Sequence, residues 1–327
     1  MLLDGSDPLV VARAAQALAD GELIAFPTET VYGLGARADD DAAVAKIFAA
    51  KGRPVDHPVI VHVVHTAAAH RFAASVSPVA ARLMAGFWPG PLTVIVPREL
   101  GRGAAAAGGQ NTVALRCPSH PVALALLRAA AGLGVMGVAA PSANRFGRVS
   151  PTTASHVRAE FHDSLWVLDG GPCSVGIESA IVDCSRDHPV LLRPGALTQA
   201  HIETVAGERL RMRDAAAPRA SGTLQSHYAP RAVVRLMTLV QLNETLHARA
   251  ADAPALAVYS RGTLAGPCHN TVHRRMPADA AHAAQELFFA LRALDDEGVQ
   301  FIWVEAPPAG AEWDGVRDRL QRASASS

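Results

Sequence analysis

Lysine is nearly missing from this chain. Of 30 lysine and arginine residues only Lys46 and Lys51 are lysines, so each calls for a reason. Cysteine is also scarce. Cys117, Cys173, Cys184 and Cys268 contain no C-x-x-C pair, which excludes a zinc ribbon or a disulfide framework as the organising feature and fits a reducing cytoplasm. Net charge is absent as well. Residues 1–200 carry 16 acidic and 16 basic side chains and residues 201–327 carry 14 of each, so bulk charge does not mark a nucleic-acid binder. The longest charge-free apolar stretch, 129–144, is short and holds three glycines, which argues against a membrane span. Asp4, Asp7 and Arg13 interrupt the start of the chain, which does not read as a signal peptide. Neither a G-x-S-x-G elbow nor a P-loop is present, so a serine nucleophile of that type and a Walker phosphate site are both excluded.

What is present is a chain of 327 residues, 50% hydrophobic and 18% charged, long enough for two globular domains. Asp7-Pro8 before an apolar run that stops at Gly21 has the signals of a helix. Strands are expected at 22–26, 59–63, 92–96, 112–116 and 134–139, with helices at 41–50, 67–72, 78–87 and 121–131 between them. A helix opening at Ser150-Pro151 and strands near Trp166, at 180–183 and at 190–192 complete an α/β domain over 1–205. Residues 206–230 lose apolar periodicity and contain Pro218, Gly222 and Pro230, which is linker chemistry; His227 and Tyr228 within it suggest a lid over the active site. Strands at 233–237, 256–260 and 301–304 with helices at 239–250 and 279–294 then predict a small Rossmann-like α/β domain over 231–327.

Four segments place polar residues between apolar elements: PTETVYGLG (27–35), KGRPVDHPVIVH (51–62), PSANRFGRVSPT (141–152) and GIESAIVD (176–183). Loops at strand ends are where α/β folds bind ligands. Thr28, Thr30 and Tyr32 offer hydroxyls, although the same segment reads equally as a turn. Lys51 and Arg53 flank Gly52 just past a helix end. There they either complement the helix dipole or, as a point charge and a planar fork on one loop, grip a polyphosphate. Ser142 and Asn144 follow a buried strand and are suited to phosphate oxygens or to the waters of a hydrated Mg2+, while Ser150 before Pro151 also fits a helix cap. Arg116 ends a strand and points either to solvent or to an anion. His57, His62 and His65 are spaced too irregularly for a metal cluster, so no metal ligand set of protein side chains is assigned.

Taken in order, PTETVYGLG, KGRP with HPVIVH, TVALRCP, APSAN, ESAIVD, LRPG (192–195) and SHYAP (226–230) resemble the YrdC-like threonylcarbamoyl-AMP synthases in their longer, two-domain form. The resemblance is strongest over residues 21–195. It implies a twisted open α/β sheet around a deep electropositive cavity, joined to the small Rossmann-like domain. It also implies a nucleotidyltransferase reaction in which L-threonine, bicarbonate and ATP, with Mg2+, give threonylcarbamoyl-AMP and pyrophosphate. The product would pass to a downstream threonylcarbamoyl transferase complex that modifies a tRNA adenosine in the cytoplasm, with weak RNA binding and no membrane. Position by position, Lys51, Arg53, Ser142 and Asn144 match the family's polar tetrad at the phosphates. Thr30, Tyr32, His62, Arg116 and Ser179 match the threonine end, and Arg53, His57, Thr112, Ser142, Ser150, Arg193 and Tyr228 the nucleotide side. His57 departs from the asparagine usual at that position. A non-catalytic RNA-binding module and the carbamoyl-adenylate-forming transferase of hydrogenase maturation are the rival readings. The charge balance weighs against the first, and the lack of zinc-finger cysteines against the second.

Overall fold

A computed structural model describes residues 1–265 and 268–325. The chain divides into two compact units, Met1–Phe146 with Ser150–Thr223, and Gly147–Val149 with Leu224–Ser327. The expected connector at 206–230 is thus shared between them. Its first part, through Thr223, clusters with the first unit, and the part from Leu224 with the second.

In the first unit the described strands are β1 (Leu2–Asp4), β2 (Ile24–Pro27), β3 (Tyr32–Arg37), β4 (Val61–His62), β5 (Leu92–Pro97), β6 (Thr112–Arg116), β7 (Val138–Ala139), β8 (Trp166–Asp169), β9 (Ala180–Asp183) and β10 (Val190–Arg193). They form one mixed sheet in the order β1-β8-β2-β3-β7-β4-β6-β5-β9-β10. Helices α1 (Pro8–Ala19) and α5 (Pro121–Gly132) pack with Ile24 and Phe26 of β2. On the other side α2 (Asp41–Lys51), α4 (Pro78–Phe87), α6 (Ala154–Phe161) and α7 (Gln199–Ala206) pack in a cluster that includes Ala25 and the alternate residues Tyr32, Leu34 and Ala36 of β3. The period-2 alternation of a strand sends neighbours to opposite faces, which is why a sheet with helices on both sides needs apolar residues at nearly every position. The short α3 (Thr66–Ala69) follows β4.

Helix starts follow the local chemistry. Asp7 caps α1 by accepting from Leu9 N–H, with Pro8 in the first turn, and Asp40 caps α2 by accepting from Ala42 and Ala43 N–H. α2 ends at Gly52, whose φ of 63° lies in the left-handed region that glycine adopts without a Cβ clash. This turn sends the chain from Lys51 directly into Arg53.

The second unit holds a parallel four-stranded sheet in the order β11-β14-β12-β13, from β11 (Val233–Met237), β12 (Leu256–Ser260), β13 (Thr271–Arg275) and β14 (Phe301–Glu305). Helices α8 (Leu239–His247), α9 (Ala280–Asp296) and α10 (Asp314–Ser324) accompany it. Leu242 and Leu246 of α8 pack with Leu256, Val258 and Trp303. Among the described residues no helix is long and apolar enough to cross a membrane.

Two expectations are corrected. PTETVYGLG is not loop throughout, because from Tyr32 it runs as β3, antiparallel to β2. Its glycines hid the strand. A Cβ on Gly35 would lie 2.8 Å from both Phe26 Cε1 and Val138 Cγ1, so the residue is glycine for close approach and not for flexibility. The helix expected at Ser150-Pro151 begins at Ala154 instead, capped by the Thr153 hydroxyl, which accepts from His156 N–H. β1, β13, α7 and α10 are additional to the elements expected from periodicity. Gly35→Ala should overpack this contact and lower stability by about 1–3 kcal/mol, read as a lower urea midpoint at unchanged slope. A midpoint equal to the parent's would show that the two strands separate freely.

Candidate active site

β4 and β6 run parallel, and their last residues, His62 and Arg116, are register partners. Partners in a parallel pair project to the same face, so an imidazole and a guanidinium stand side by side. Both are buried, at 3% exposure each. The Arg116 guanidinium is gripped from several sides. Its Nε donates to Gly90 O at 3.3 Å, and its Nη1 to Thr30 Oγ1 at 2.8 Å. Its Nη2 lies 2.7 Å from Oε1 of the buried Glu29. That last pair has ion-pair distance without hydrogen-bond alignment, since Arg116 Nη2 and Glu29 Oε1 both lack a hydrogen-bond partner. Glu29 is itself anchored, its Oε2 accepting from Ser119 N–H at 3.0 Å. Thr30 is set by the turn before β3, where its hydroxyl meets that of Thr28 at 2.8 Å and Thr28 donates to Val31 O.

His62 Nδ1 is likewise buried without a hydrogen-bond partner. Burial, and secondarily the Arg116 charge, push the imidazole down to about 3 from its usual 6.5, against the smaller pull of the Val138 and Ile60 backbone. The ring is neutral at physiological pH, so beside Arg116 it serves as a hydrogen-bonding group and not as a second charge. Ser179 immediately precedes β9. Its hydroxyl meets Thr93 Oγ1 at 2.7 Å, and its carbonyl accepts from Arg193 Nε and Nη2 at 3.1 and 2.9 Å. Arg193 Nη1 reaches Ser221 O at 2.8 Å.

The second cluster forms where α2 ends. Lys51 is 3% exposed, and its ammonium donates to Ser142 O at 2.6 Å and to Asn144 O. Burial, then the neighbouring Arg53 charge, hold its pKa well below the usual 10.5. Arg53 curls under its own loop, with Nη2 on Pro58 O at 2.8 Å and Nε on His57 O at 3.4 Å, and its guanidinium lies 5.6 Å from the centre of the Phe146 ring. The His57 ring packs on the same phenyl at 5.4 Å. Asn144 is buried, with Nδ2 donating to Arg145 O at 2.7 Å. Lys51, Arg53, His57, Ser142 and Asn144 are thus brought together by contact.

The remaining predicted residues are placed as follows. The buried Ser150 hydroxyl donates to Glu178 Oε1 at 2.5 Å rather than capping a helix. Tyr32 donates its hydroxyl to Gly171 O at 2.8 Å and to Asp169 at 3.4 Å, and burial raises its pKa. Asp169 and Gly171 also line a cavity of about 660 Å3 that neither Arg116 nor His62 lines. Thr112 opens β6 opposite Pro97, four residues before Arg116. Tyr228 belongs to the second unit, buried beside Phe288 and under Arg319, with a φ of 62° that is strained for a residue with a Cβ.

Three carboxyl or aromatic groups escaped the sequence reading: Glu29, Phe146 and Glu178. Each lies inside a quoted motif, but its partner (Arg116, Arg53 or Ser150) lies far away in sequence, so no local pattern exposed it. A carboxylate inside an otherwise neutral motif was the available signal. Burial raises the thiols of Cys117, to about 11, Cys173 and Cys184, which makes them poor nucleophiles. No group of three or more His, Cys, Asp or Glu side chains that could hold a metal occurs among the described residues.

Fold and site together define an α/β protein with two buried clusters of charged and polar side chains at the ends of strands and helices. A family model described as telomere recombination, for the Sua5, YciO and YrdC proteins, matches residues 16–195. A second, described as the C-terminal domain of threonylcarbamoyl-AMP synthase, matches residues 197–325. The chain is 36% identical to the threonylcarbamoyl-AMP synthase of Bacillus subtilis (strain 168), with 98% of this chain and 94% of that one covered. It is 37% identical to that of Pyrococcus abyssi (strain GE5 / Orsay), with 95% and 93% covered. A crystal structure of P. abyssi Sua5 complexed with L-threonine superposes with a TM-score of 0.89 at 35% identity, over 97% of this chain and 95% of that one. The chain belongs to the threonylcarbamoyl-AMP synthase family, in its two-domain, Sua5-type form.

The buried neutral His62 gives an acid-limb prediction. Above pH 6.5 the ring is neutral in both folded and unfolded chains, and its contribution is complete. As pH falls towards 3 the unfolded chain takes a proton that the folded chain refuses, so stability drops by up to about 1.4 kcal/mol per pH unit from this residue. Urea unfolding of His62→Gln between pH 7 and pH 4 should show a shallower fall than the parent. Parallel curves would mean that the ring is protonated in place.

Proposed function

We propose that this chain is a nucleotidyltransferase that makes threonylcarbamoyl-AMP from L-threonine, bicarbonate and ATP, acting in the cytoplasm. The observation that carries the reading is the buried Arg116 guanidinium, held by Thr30 and Gly90 while Nη2 keeps no hydrogen-bond acceptor, in a chain whose relatives bear this enzyme's name. A buried donor without an acceptor is costly, on the order of 1–3 kcal/mol, and a ligand carboxylate relieves it. Arg116 takes the threonine carboxylate, and neutral His62, with its free Nδ1, suits the ligand's hydroxyl. Thr30 and Ser179 hold this end of the pocket in place, each from a buried hydrogen-bond network.

In the first step the threonine amine attacks the bicarbonate carbon, a C–N bond forms, and water leaves with the displaced oxygen, giving N-carboxythreonine. Its carboxylate oxygen then attacks the α-phosphorus of ATP, and the bond from that phosphorus to the α,β-bridging oxygen breaks, releasing pyrophosphate. Mg2+ arrives as the counterion of ATP and belongs to the substrate. Burial holds the Lys51 pKa down, and Arg53, a second cation in the same buried loop, adds a smaller repulsion. A polyphosphate relieves it, which supports their assignment to the phosphates alongside Ser142 and Asn144. Thr112, Ser150, Arg193, His57 and Tyr228 stay on the nucleotide side by the sequence resemblance. No covalent enzyme intermediate is required, in keeping with thiols raised by burial. The product is a mixed anhydride, suited to a downstream transferase that places the threonylcarbamoyl group on a tRNA adenosine.

Purified protein should release pyrophosphate from ATP only when threonine and bicarbonate are both present. Release independent of threonine would end this reading. Lys51→Ala should lower that turnover about a hundredfold, the usual effect of removing one preorganised charge stabiliser. Arg116→Lys keeps the charge but loses the fork, and should raise the KM for threonine about tenfold while leaving that for ATP nearly unchanged. The opposite split would move Arg116 to the nucleotide.

A further inference from the structure

Glu29 sits between the two threonines of PTETVYGLG, and the reaction as derived gives it no part. Building on the reading that the Arg116 pocket takes threonine, we propose that Glu29 recognises the ligand's amino group and makes the site selective for α-amino acids over carboxylic acids in general.

Two adjoining buried atoms, Arg116 Nη2 and Glu29 Oε1, lack hydrogen-bond partners. Arg116 and Glu29 have side chains 4% and 6% exposed, and Nη2 and Oε1 lie 2.7 Å apart. Neither atom has a hydrogen-bond partner, so the N–H groups are not aimed at the carboxylate oxygen although the charges adjoin. Each ion is tethered on its far side. Arg116 is held through Nε and Nη1, and Glu29 through Oε2 to Ser119 N–H. These tethers prevent the two side chains from turning to satisfy each other. What is left is one donor atom and one acceptor atom, adjacent and buried.

A ligand that completes both must bring an acceptor for Nη2 and an N–H donor for Oε1 on neighbouring atoms. An α-amino acid carries its carboxylate and its amine on one carbon and does so. A simple carboxylic acid satisfies Arg116 but sets its own negative charge against Glu29 with no donor between them, so the same carboxylate that welcomes threonine rejects its deaminated analogue. Once the ammonium has lost a proton to solvent, the amine held by one N–H on Glu29 has its lone pair free for the carbon of bicarbonate. Ser119 immediately precedes His120, the cap of α5, so the Glu29 carboxylate is fixed by the same backbone that starts that helix.

The test compares calorimetric affinities for threonine, 3-hydroxybutyrate, which lacks the amine, and 1-amino-2-propanol, which lacks the carboxylate. In the parent protein 3-hydroxybutyrate should bind at least about tenfold more weakly than threonine, as expected for a lost charge-assisted hydrogen bond. In Glu29→Gln the amide oxygen can still take Ser119 N–H, but the NH2 then presents a donor where an acceptor is needed. The gap should narrow to about threefold or less, through loss at threonine and gain at 3-hydroxybutyrate, which no longer faces the Glu29 charge. In Arg116→Lys threonine should weaken while 1-amino-2-propanol holds its parent affinity. A purely structural role for Glu29 would weaken all ligands alike and preserve the gap, and that result overturns the proposal. Equal affinity of the parent for threonine and 3-hydroxybutyrate overturns it without any variant needing to fold. Absence of threonine binding to the parent would instead remove the reading of the pocket on which the proposal rests.

Discussion

Burying a guanidinium takes it out of water, and the cost is several kcal/mol unless neighbouring groups replace the lost hydration. In this chain the replacement comes from two segments that are distant in sequence from Arg116 at the end of β6. They are the turn at Thr28–Thr30 with Glu29, and the Gly90 carbonyl before β5. Glu29 extends the connection to Ser119 at the start of α5. Arg116 therefore fixes the relative placement of β2, β3, β5, β6 and α5 around one charged point. The same tethering leaves a donor and an acceptor unused, so the demand for structural order and the demand for a ligand arise from one interaction.

The Lys51 cluster follows a related logic with the opposite balance. There the ammonium is satisfied by two backbone carbonyls of the PSAN loop, which holds that loop against the end of α2. Its hydrogen bonds are good, but its charge is disfavoured by burial and by Arg53. In the first cluster two adjoining atoms lack hydrogen-bond partners, and in the second burial and Arg53 outweigh the pull of Glu160 and Glu178 on Lys51.

The buried thiols of the first unit are poor nucleophiles. His62 is held neutral at about 3. A neutral imidazole beside a permanent cation can orient a hydroxyl without adding repulsion, which a protonated ring could not.

The α/β class and most helix and strand positions were legible in the sequence, since apolar periodicity, the Asp-Pro start of α1 and Gly52 are local signals. The rarity of lysine singled out Lys51 for the same reason. β3 was not legible, because Gly33 and Gly35 read as loop until Phe26 and Val138 are seen to press against them. Nor was the start of α6, where Ser150 turned to Glu178 instead of capping the helix. Above all, the sequence offered Arg116 as a cation at a strand end and could not say whether it met water or an anion. That depended on Glu29, 87 residues away in the chain and 2.7 Å away in space. Composition and period are properties of neighbours along the chain and are fixed by the sequence itself. Which charges are paired, and which are left wanting a partner, is a property of neighbours in space, and only the folded sheet decided it.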